Sequence, residues 1–174
     1  IPIVDIKFNR LKMSTFICLN LFILIHIVGA RYIYSYVPYN NWIKSIFQVD
    51  LNERFHLTRN HFDRFVHLSF GILIFPYFFE LLDRKKEIPK IFKLIIVWAF
   101  IQTVSMLYEL FEWSLTMIMS SDAAESYNGQ QGDIWDAQKD MALAMLGSTC
   151  MLIFYLFKKG KVNQSNLYNR YIKL

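Results

Sequence analysis

The sequence predicts an all-α membrane protein, a multi-pass transmembrane helix bundle with at least four helices and a short interfacial helix. Hydrophobic residues make up 55% of the 174 residues and charged residues only 19%, which is more apolar than a typical soluble domain. The apolar residues are concentrated in four runs, each near or above the roughly 20 residues that a helix needs to cross a bilayer. Charged residues are concentrated between the runs, as in a membrane protein with several spans.

The four apolar runs define the predicted spans. They cover residues 13–32, 62–82, 91–119 and 140–157. The third is longer than a bilayer requires, so we expect it to tilt or to protrude, and the fourth is the shortest. A helix bundle pairs every backbone polar group internally, as lipid requires. Gly71 and Gly147 are small residues that would let two helices approach closely.

The basic residues predict the orientation. Thirteen of the 19 Lys and Arg residues fall before the first run, between the second and third, or after the fourth. These residues are Lys7, Arg10, Lys12, Arg84, Lys85, Lys86, Lys90, Lys93, Lys158, Lys159, Lys161, Arg170 and Lys173. The positive-inside rule therefore predicts that both ends are cytoplasmic and that loops 33–61 and 120–139 face outward. The net charge of +5 is explained by topology, so we expect the lipid bilayer and no nucleic acid as a partner.

The chain is expected to form one helix-bundle domain over residues 1–160, followed by a polar cytoplasmic tail over 161–174. Within loop 33–61, four apolar residues recur at helical spacing and two asparagines before them could cap a helix. These are Trp42, Ile43, Ile46 and Phe47, preceded by Asn40 and Asn41. We predict a helix lying in the outer interface. The first residue is Ile1 rather than Met, which leaves room for helices before it, and the sequence leaves homo-oligomerisation open.

Seven ionisable side chains lie in or beside the predicted spans, where a charge costs roughly 2.5–3.5 kcal/mol on insertion scales. They are Asp63 and His67 in the second span, Glu109 and Glu112 in the third, and Asp133, Asp136 and Asp140 leading into the fourth. Spacings of three and four residues favour a common face within each group. The predicted topology brings all three groups to the outer leaflet, so we expect them to converge at one depth.

Six carboxylates gathered in one place repel one another unless protons or a cation neutralise them. Carboxylates with one imidazole suit Zn, Mn, Mg or Fe, and a bound divalent metal ion activates water for hydrolysis. We therefore assign Asp63, His67, Glu112, Asp133 and Asp136 as candidate metal ligands. Glu109 and Asp140 are the candidate catalytic residues, one of them serving as general base. The sequence does not identify the substrate.

Two other interpretations of the same seven residues remain open. Arg59, Arg64 and Lys139 could neutralise the carboxylates in a purely structural network, and His26 is expected to have mainly a packing role. An ion or solute carrier would need charged residues across the whole membrane, but the spans are mainly apolar beyond the cluster. The chain contains no H-E-x-x-H, G-x-S-x-G or G-x-x-x-x-G-K motif, which argues against the enzyme classes that those motifs define.

Four segments of the chain resemble the YjdF-like bacterial inner-membrane proteins, a predicted membrane domain of unknown function. The segments are GARYIY (29–34), RNHFDRFVHLSFG (59–71), YELFEW (108–113) and GQQGDIWDAQKDMALAMLG (129–147). The resemblance implies an uncharacterised multi-pass protein of the inner (plasma) membrane with additional helices toward the N-terminus. It marks Asp63, Arg64, His67, Glu109, Glu112, Asp133, Asp136 and Asp140 as motif positions, and it implies no reaction.

Overall fold

The computed structural model describes residues 11–119 and 131–158, and these residues form helices and connecting loops without strands. The helices are α1 (Met13–Arg31), α2 (Tyr39–Phe47), α3 (Leu51–Phe55), α4 (Phe62–Asp83), α5 (Lys90–Ile118) and α6 (Asp136–Phe157). Four of them, α1, α4, α5 and α6, are long and apolar enough to cross a membrane. The predicted all-α multi-pass fold is confirmed. The predicted tail over 161–174 lies outside the described residues.

The first three spans begin and end within one residue of the predicted limits, whereas the fourth begins at Asp136 instead of residue 140. It therefore has 22 residues, as many as α4, and the shortest span is α1 with 19. Hydropathy marks the place where apolar residues start, but an acidic residue is favourable in the first turn of a helix. The 29 residues of α5 are about 43 Å long, more than the roughly 30 Å of hydrocarbon.

α4 is the central helix of the bundle. It packs on α1, α5 and α6, and its contact with α6 is the most extensive. At that contact, a Cβ added to Gly71 would lie 2.3 Å from the backbone oxygen of Ala144. A Cβ added to Gly147 would lie 2.5 Å from the backbone oxygen of Leu68. The two glycines thus permit a backbone-to-backbone contact, as predicted from their small size.

An apolar core fills the bundle between its two ends. Its buried residues come from α4 and α5 and are Phe75, Phe79, Leu94, Val97 and Ile101. Side chains of α6, including Met151 and Tyr155, pack against them. One end, called here the basic end, is flanked by the described basic residues Lys12, Arg84, Lys85, Lys86, Lys90, Lys93 and Lys158. The seven ionisable residues lie at the other, called here the acidic end.

At the basic end, Glu80 of α4 caps α1. Its buried carboxylate accepts hydrogen bonds from the Lys12 backbone N–H at 2.9 Å and from the Thr15 hydroxyl at 2.6 Å. Both donors belong to the start of α1, where backbone N–H groups lack partners within the helix and a negative charge is favourable. A carboxylate from a distant helix therefore fixes the start of the first span.

The short helix α2 covers the predicted interfacial segment. It begins at Tyr39, so the predicted capping by Asn40 or Asn41 is wrong. Asn40 instead accepts a hydrogen bond from the Leu51 backbone N–H at 2.7 Å, which ties α2 to the start of α3. Ile46 and Phe47 are 70% and 68% exposed, as expected of a helix whose apolar face meets lipid. Its depth in the interface stays a prediction.

The cap of α3 makes that helix sensitive to acid. Asp50 accepts hydrogen bonds from Lys44 at 2.9 Å and from the Glu53 backbone N–H. These bonds lower the pKa of Asp50 from 3.8 to about 2, and the bond from Lys44 has the largest effect. A lowered folded-state pKa means that the stabilisation is complete above about pH 4 and is lost as the pH falls through about 2.

We expect the Glu53 backbone amide resonance to titrate with a midpoint near pH 2, because protonation of Asp50 removes the hydrogen-bond acceptor. An NMR titration of the protein in detergent micelles measures this midpoint. Asp50→Asn should lack the transition. A midpoint at or above 3.8, the ordinary value for aspartate, would contradict the prediction.

Candidate functional site

A network of ion pairs closes the acidic end, called here the rim network. Arg59 lies just before α4, and its side chain is only 7% exposed. Its two terminal nitrogens contact the carboxylates of Asp63 and Asp136. Asp63 lies in the first turn of α4, and Asp136 is the first residue of α6. A single buried guanidinium therefore joins the start of the second span to the start of the fourth.

Arg64 and Lys139 complete the rim network around Asp133. Arg64 contacts Asp133 and lies 3.4 Å from Asp136 Oδ1, while Lys139 Nζ is 2.6 Å from Asp133 Oδ2. The hydrogen bonds from Lys139 and Arg64 hold the pKa of Asp133 well below its usual range. Asp133 lies in the turn before α6 and remains ionised, with both oxygens hydrogen-bonded.

His67, Glu109 and Asp140 meet one turn deeper in the bundle and are called here the inner triad. His67 Nε2 is 3.2 Å from Glu109 Oε1, within ion-pair distance but without hydrogen-bond geometry, and 4.0 Å from Asp140 Oδ2. One ligand atom of each residue lies within 4.8 Å of the other two. Glu109 and Asp140 are 6% and 4% exposed. Glu109 Oε1 and Asp140 Oδ1 accept no hydrogen bond from the part of the chain that the structure describes.

A cavity of about 150 Å³ adjoins the inner triad. Its polar lining is His26, Tyr34, Asp63, His67, Ser105, Tyr108, Glu112 and Asp140, and its apolar lining is Phe22, Val66, Phe70 and Val104. Glu112 faces this cavity, and its carboxylate accepts a hydrogen bond from the Tyr108 hydroxyl. The site thus combines an ionisable end with an apolar wall.

His26 belongs to the cavity, although the sequence indicated mainly a packing role. Its ring does pack edge-on against Phe22, with centroids 4.6 Å apart. Its Nδ1 also lies 2.8 Å from the Tyr34 hydroxyl. Tyr34 reaches this position because the chain turns back after α1, with positive φ at Ile33 and Tyr34, and its ring occupies the space beside Gly29. A single histidine in an apolar span was the only signal in the sequence.

The seven residues predicted from the sequence all lie at the acidic end but do not form a single set. His67, Glu109 and Asp140 form the inner triad. Asp133 and Asp136 belong to the rim network, while Glu112 lines the cavity. Asp63 and Asp136 connect the two layers, because both pair with Arg59 and both lie within 4.8 Å of Asp140.

The four apolar helices, with a polar cavity at one end, define this chain as a multi-pass membrane protein. The family described as "Predicted membrane protein (DUF2238)" matches residues 1–161, and the chain belongs to that family. It is similar to the Inner membrane protein YjdF of Escherichia coli (strain K12), with 31% identity over 143 residues. The alignment covers 82% of this chain and 63% of the relative, so the chain spans less than two thirds of that protein.

No solved structure matches the chain. The family match and the relative confirm the YjdF-like resemblance that the sequence motifs suggested. With the four apolar helices, they also confirm the predicted inner-membrane location. Neither comparison describes a reaction, a ligand or a metal.

Proposed function

We propose that the inner triad holds a divalent metal ion and that this ion serves the hydrolysis of a substrate bound in the cavity. The observation that carries the proposal is the pair of buried carboxylate oxygens on Glu109 and Asp140 that lack hydrogen bonds beside His67. A buried polar oxygen without a hydrogen bond is unfavourable, and more so when it carries charge. A divalent cation between the three side chains removes that cost.

The distances support a metal ion after a small adjustment. Ligand atoms bound at about 2.1 Å lie at most about 4.2 Å apart across the ion. Two of the contacts are already 3.2 and 4.0 Å, and all three pairs lie within 4.8 Å. Three protein ligands leave coordination positions for water and substrate. One imidazole with two carboxylates suits Zn, Mn, Fe or Mg.

This proposal divides the roles differently from the sequence assignment. Glu109 and Asp140, first considered as catalytic residues, become metal ligands with His67. Asp133 and Asp136 are occupied by arginine and lysine, so they support the site from outside the coordination sphere. Such outer partners fix the orientation of the ligands and tune the metal.

Two carboxylates outside the triad line the cavity, Asp63 and Glu112. Asp63 pairs with Arg59, so Glu112 is the one assigned as general base. A metal ion held by the inner triad would activate a water molecule for attack on the carbonyl carbon or phosphorus of an ester. Glu112 would take the proton of that water as its oxygen forms the new bond, and would return the proton to the leaving oxygen as the old bond breaks. One water would be consumed, and Glu112 would end as the carboxylate that it was at the start.

The apolar core argues against a carrier. Below the cavity, the polar contacts are Gln102 with Ser148 at 2.7 Å and Trp98 with Thr149 at 2.9 Å, and none of these groups ionises. The core that contains Phe75 and Leu94 then separates them from the basic end. A purely structural network would explain the ion pairs of the rim network. It would not explain why Glu109 Oε1 and Asp140 Oδ1 of the inner triad are buried without hydrogen bonds.

We expect purified protein prepared without chelator to contain about one divalent metal ion per chain, and Glu109→Gln and Asp140→Asn each to weaken its binding by on the order of 100-fold or more. Loss of an outer partner alone typically weakens metal binding 10–100-fold. Elemental analysis by mass spectrometry and competition with a chelator measure both quantities.

The matched control is Asp83→Asn, which changes an acidic residue paired with Lys93 at the basic end and should leave the metal content unchanged. If the wild-type protein binds no Zn, Mn, Mg or Fe after reloading, the proposed metal site is wrong. If Glu109→Gln, Asp140→Asn and Asp83→Asn all hold the same amount of metal, the ion is not bound by the inner triad.

A further inference from the structure

The cavity is a cleft between two spans that barely touch. α1 packs on α4, and α5 packs on α4 and α6, but α1 and α5 make little contact with each other. Phe22 and His26 line the cavity from α1, whereas Val104 and Tyr108 line it from α5. α4 forms the floor between these two walls. The cleft is therefore flanked by two helices that do not close it by packing on each other.

The cleft reaches into the hydrocarbon region of the bilayer. Phe70 of its floor lies eight residues into α4, and Phe22 of its wall lies nine residues before the end of α1. Each is roughly 12–14 Å from the acidic end at 1.5 Å per residue, compared with about 30 Å of hydrocarbon. The deep part of the cleft is apolar and lies at the depth of acyl chains, while its ionisable part lies near the headgroups.

The size of the cavity indicates how much of a ligand it takes. Its volume of about 150 Å³ is below the roughly 300–1,000 Å³ of pockets that enclose a drug-sized molecule. A headgroup with a short stretch of chain fits that space. The remainder of an amphiphilic molecule would stay in the bilayer and leave through the gap between α1 and α5.

We propose, building on the metal site proposed above, that the substrate is a lipid with a phosphate-bearing headgroup that enters sideways from the bilayer between α1 and α5. Mg²⁺ and similar hard cations are commonly held by one or two carboxylates together with substrate phosphates. The acidic lining would repel a phosphate in the absence of the cation, so lipid binding depends on the metal.

The test uses the metal-loaded chain of residues 1–174 in detergent micelles, with Mn²⁺ bound and free Mn²⁺ removed. The probes are dioleoyl phosphatidic acid, dioleoylglycerol and glycerol 3-phosphate. We expect the phosphatidic acid to bind about tenfold or more tightly than either other probe, because only this lipid has both the phosphate and the chains. Broadening of its ³¹P resonance by the bound Mn²⁺ reports contact with the metal.

Val104→Trp should fill the cleft from the α5 wall and weaken lipid binding by about tenfold or more without removing the metal. The matched control is Ile96→Trp, at a position of α5 that is already exposed, which should bind lipid as the wild type does. Should Val104→Trp lose its metal or fail to fold, Val104→Phe provides the smaller obstruction for the same comparison.

Each other outcome rejects the lipid inference. Equal binding of glycerol 3-phosphate would indicate a water-soluble phosphate ester, and equal binding of dioleoylglycerol would indicate an apolar ligand. Protein that holds Mn²⁺ but none of the probes would reject the lipid and leave the metal site intact. Protein that holds no metal would reject the proposed function itself, so the metal content measured beforehand separates the two failures.

Discussion

Arg59→Met should destabilise the protein by about 3–5 kcal/mol, the usual range when one partner of a buried ion pair is removed. The guanidinium is 7% exposed and contacts two carboxylates, of which Asp136 is equally inaccessible. Methionine keeps much of the side-chain volume, so the loss of stability measures the contribution of the charge and its hydrogen bonds. Unfolding in mixed micelles, followed by circular dichroism or tryptophan fluorescence, measures the change in free energy.

Arg54→Met is the matched control because Arg54 is exposed on α3, and its effect should stay within about 0.5 kcal/mol. Adding Asp63→Asn and Asp136→Asn to Arg59→Met should restore part of the stability, since the uncompensated charges are then gone. If Arg59→Met unfolds at the same denaturant concentration as Arg54→Met, the rim network does not hold the spans together.

Gly71→Val should cost about 3 kcal/mol, at the upper end of the usual range for overpacking, because its side chain collides with backbone. The added Cβ would lie 2.3 Å from the Ala144 oxygen and 2.6 Å from the Ser148 nitrogen, and neither atom can move without its helix. α4 and α6 must therefore separate. Because His67 and Asp140 lie on these two helices, metal affinity should fall together with stability.

Ala142→Val, at an exposed position of α6, is the control for adding a branched side chain to the same pair of helices. It should change stability by no more than about 0.5 kcal/mol and leave metal binding intact. The same unfolding assay and the chelator competition compare the two variants. A Gly71→Val protein with wild-type stability would mean that the contact between the two helices is looser than the backbone distances indicate.

The sequence predicted the spans well because hydropathy is a local property. The limits of α1, α4 and α5 follow from where apolar residues begin and end. The start of α6 was placed at residue 140 instead of Asp136 because three of the four residues 136–139 are polar, although Asp136 belongs to the rim network. Asn40 was assigned to the nearest helix, whereas its hydrogen bond goes to the next one along the chain.

The convergence of the ionisable residues could be predicted, but their division into a rim and a triad could not. Topology alone brings the three groups to one depth. The pairing of Arg59 with Asp136 joins residues 77 positions apart, and no periodicity encodes which arginine meets which aspartate. The place of His26 at the cavity could not be predicted for the same reason, because its partner Tyr34 depends on a turn formed by residues with positive φ.

The cap that Glu80 provides has a consequence for how the protein is made. The ribosome delivers the spans in order, so the first one enters the membrane while Glu80, 68 positions after Lys12, is still untranslated. During that interval the Lys12 amide and the Thr15 hydroxyl lack the carboxylate that accepts their hydrogen bonds in the folded bundle. Glu80 reaches them only when α4 has been inserted. The start of α1 therefore takes its final structure together with α4.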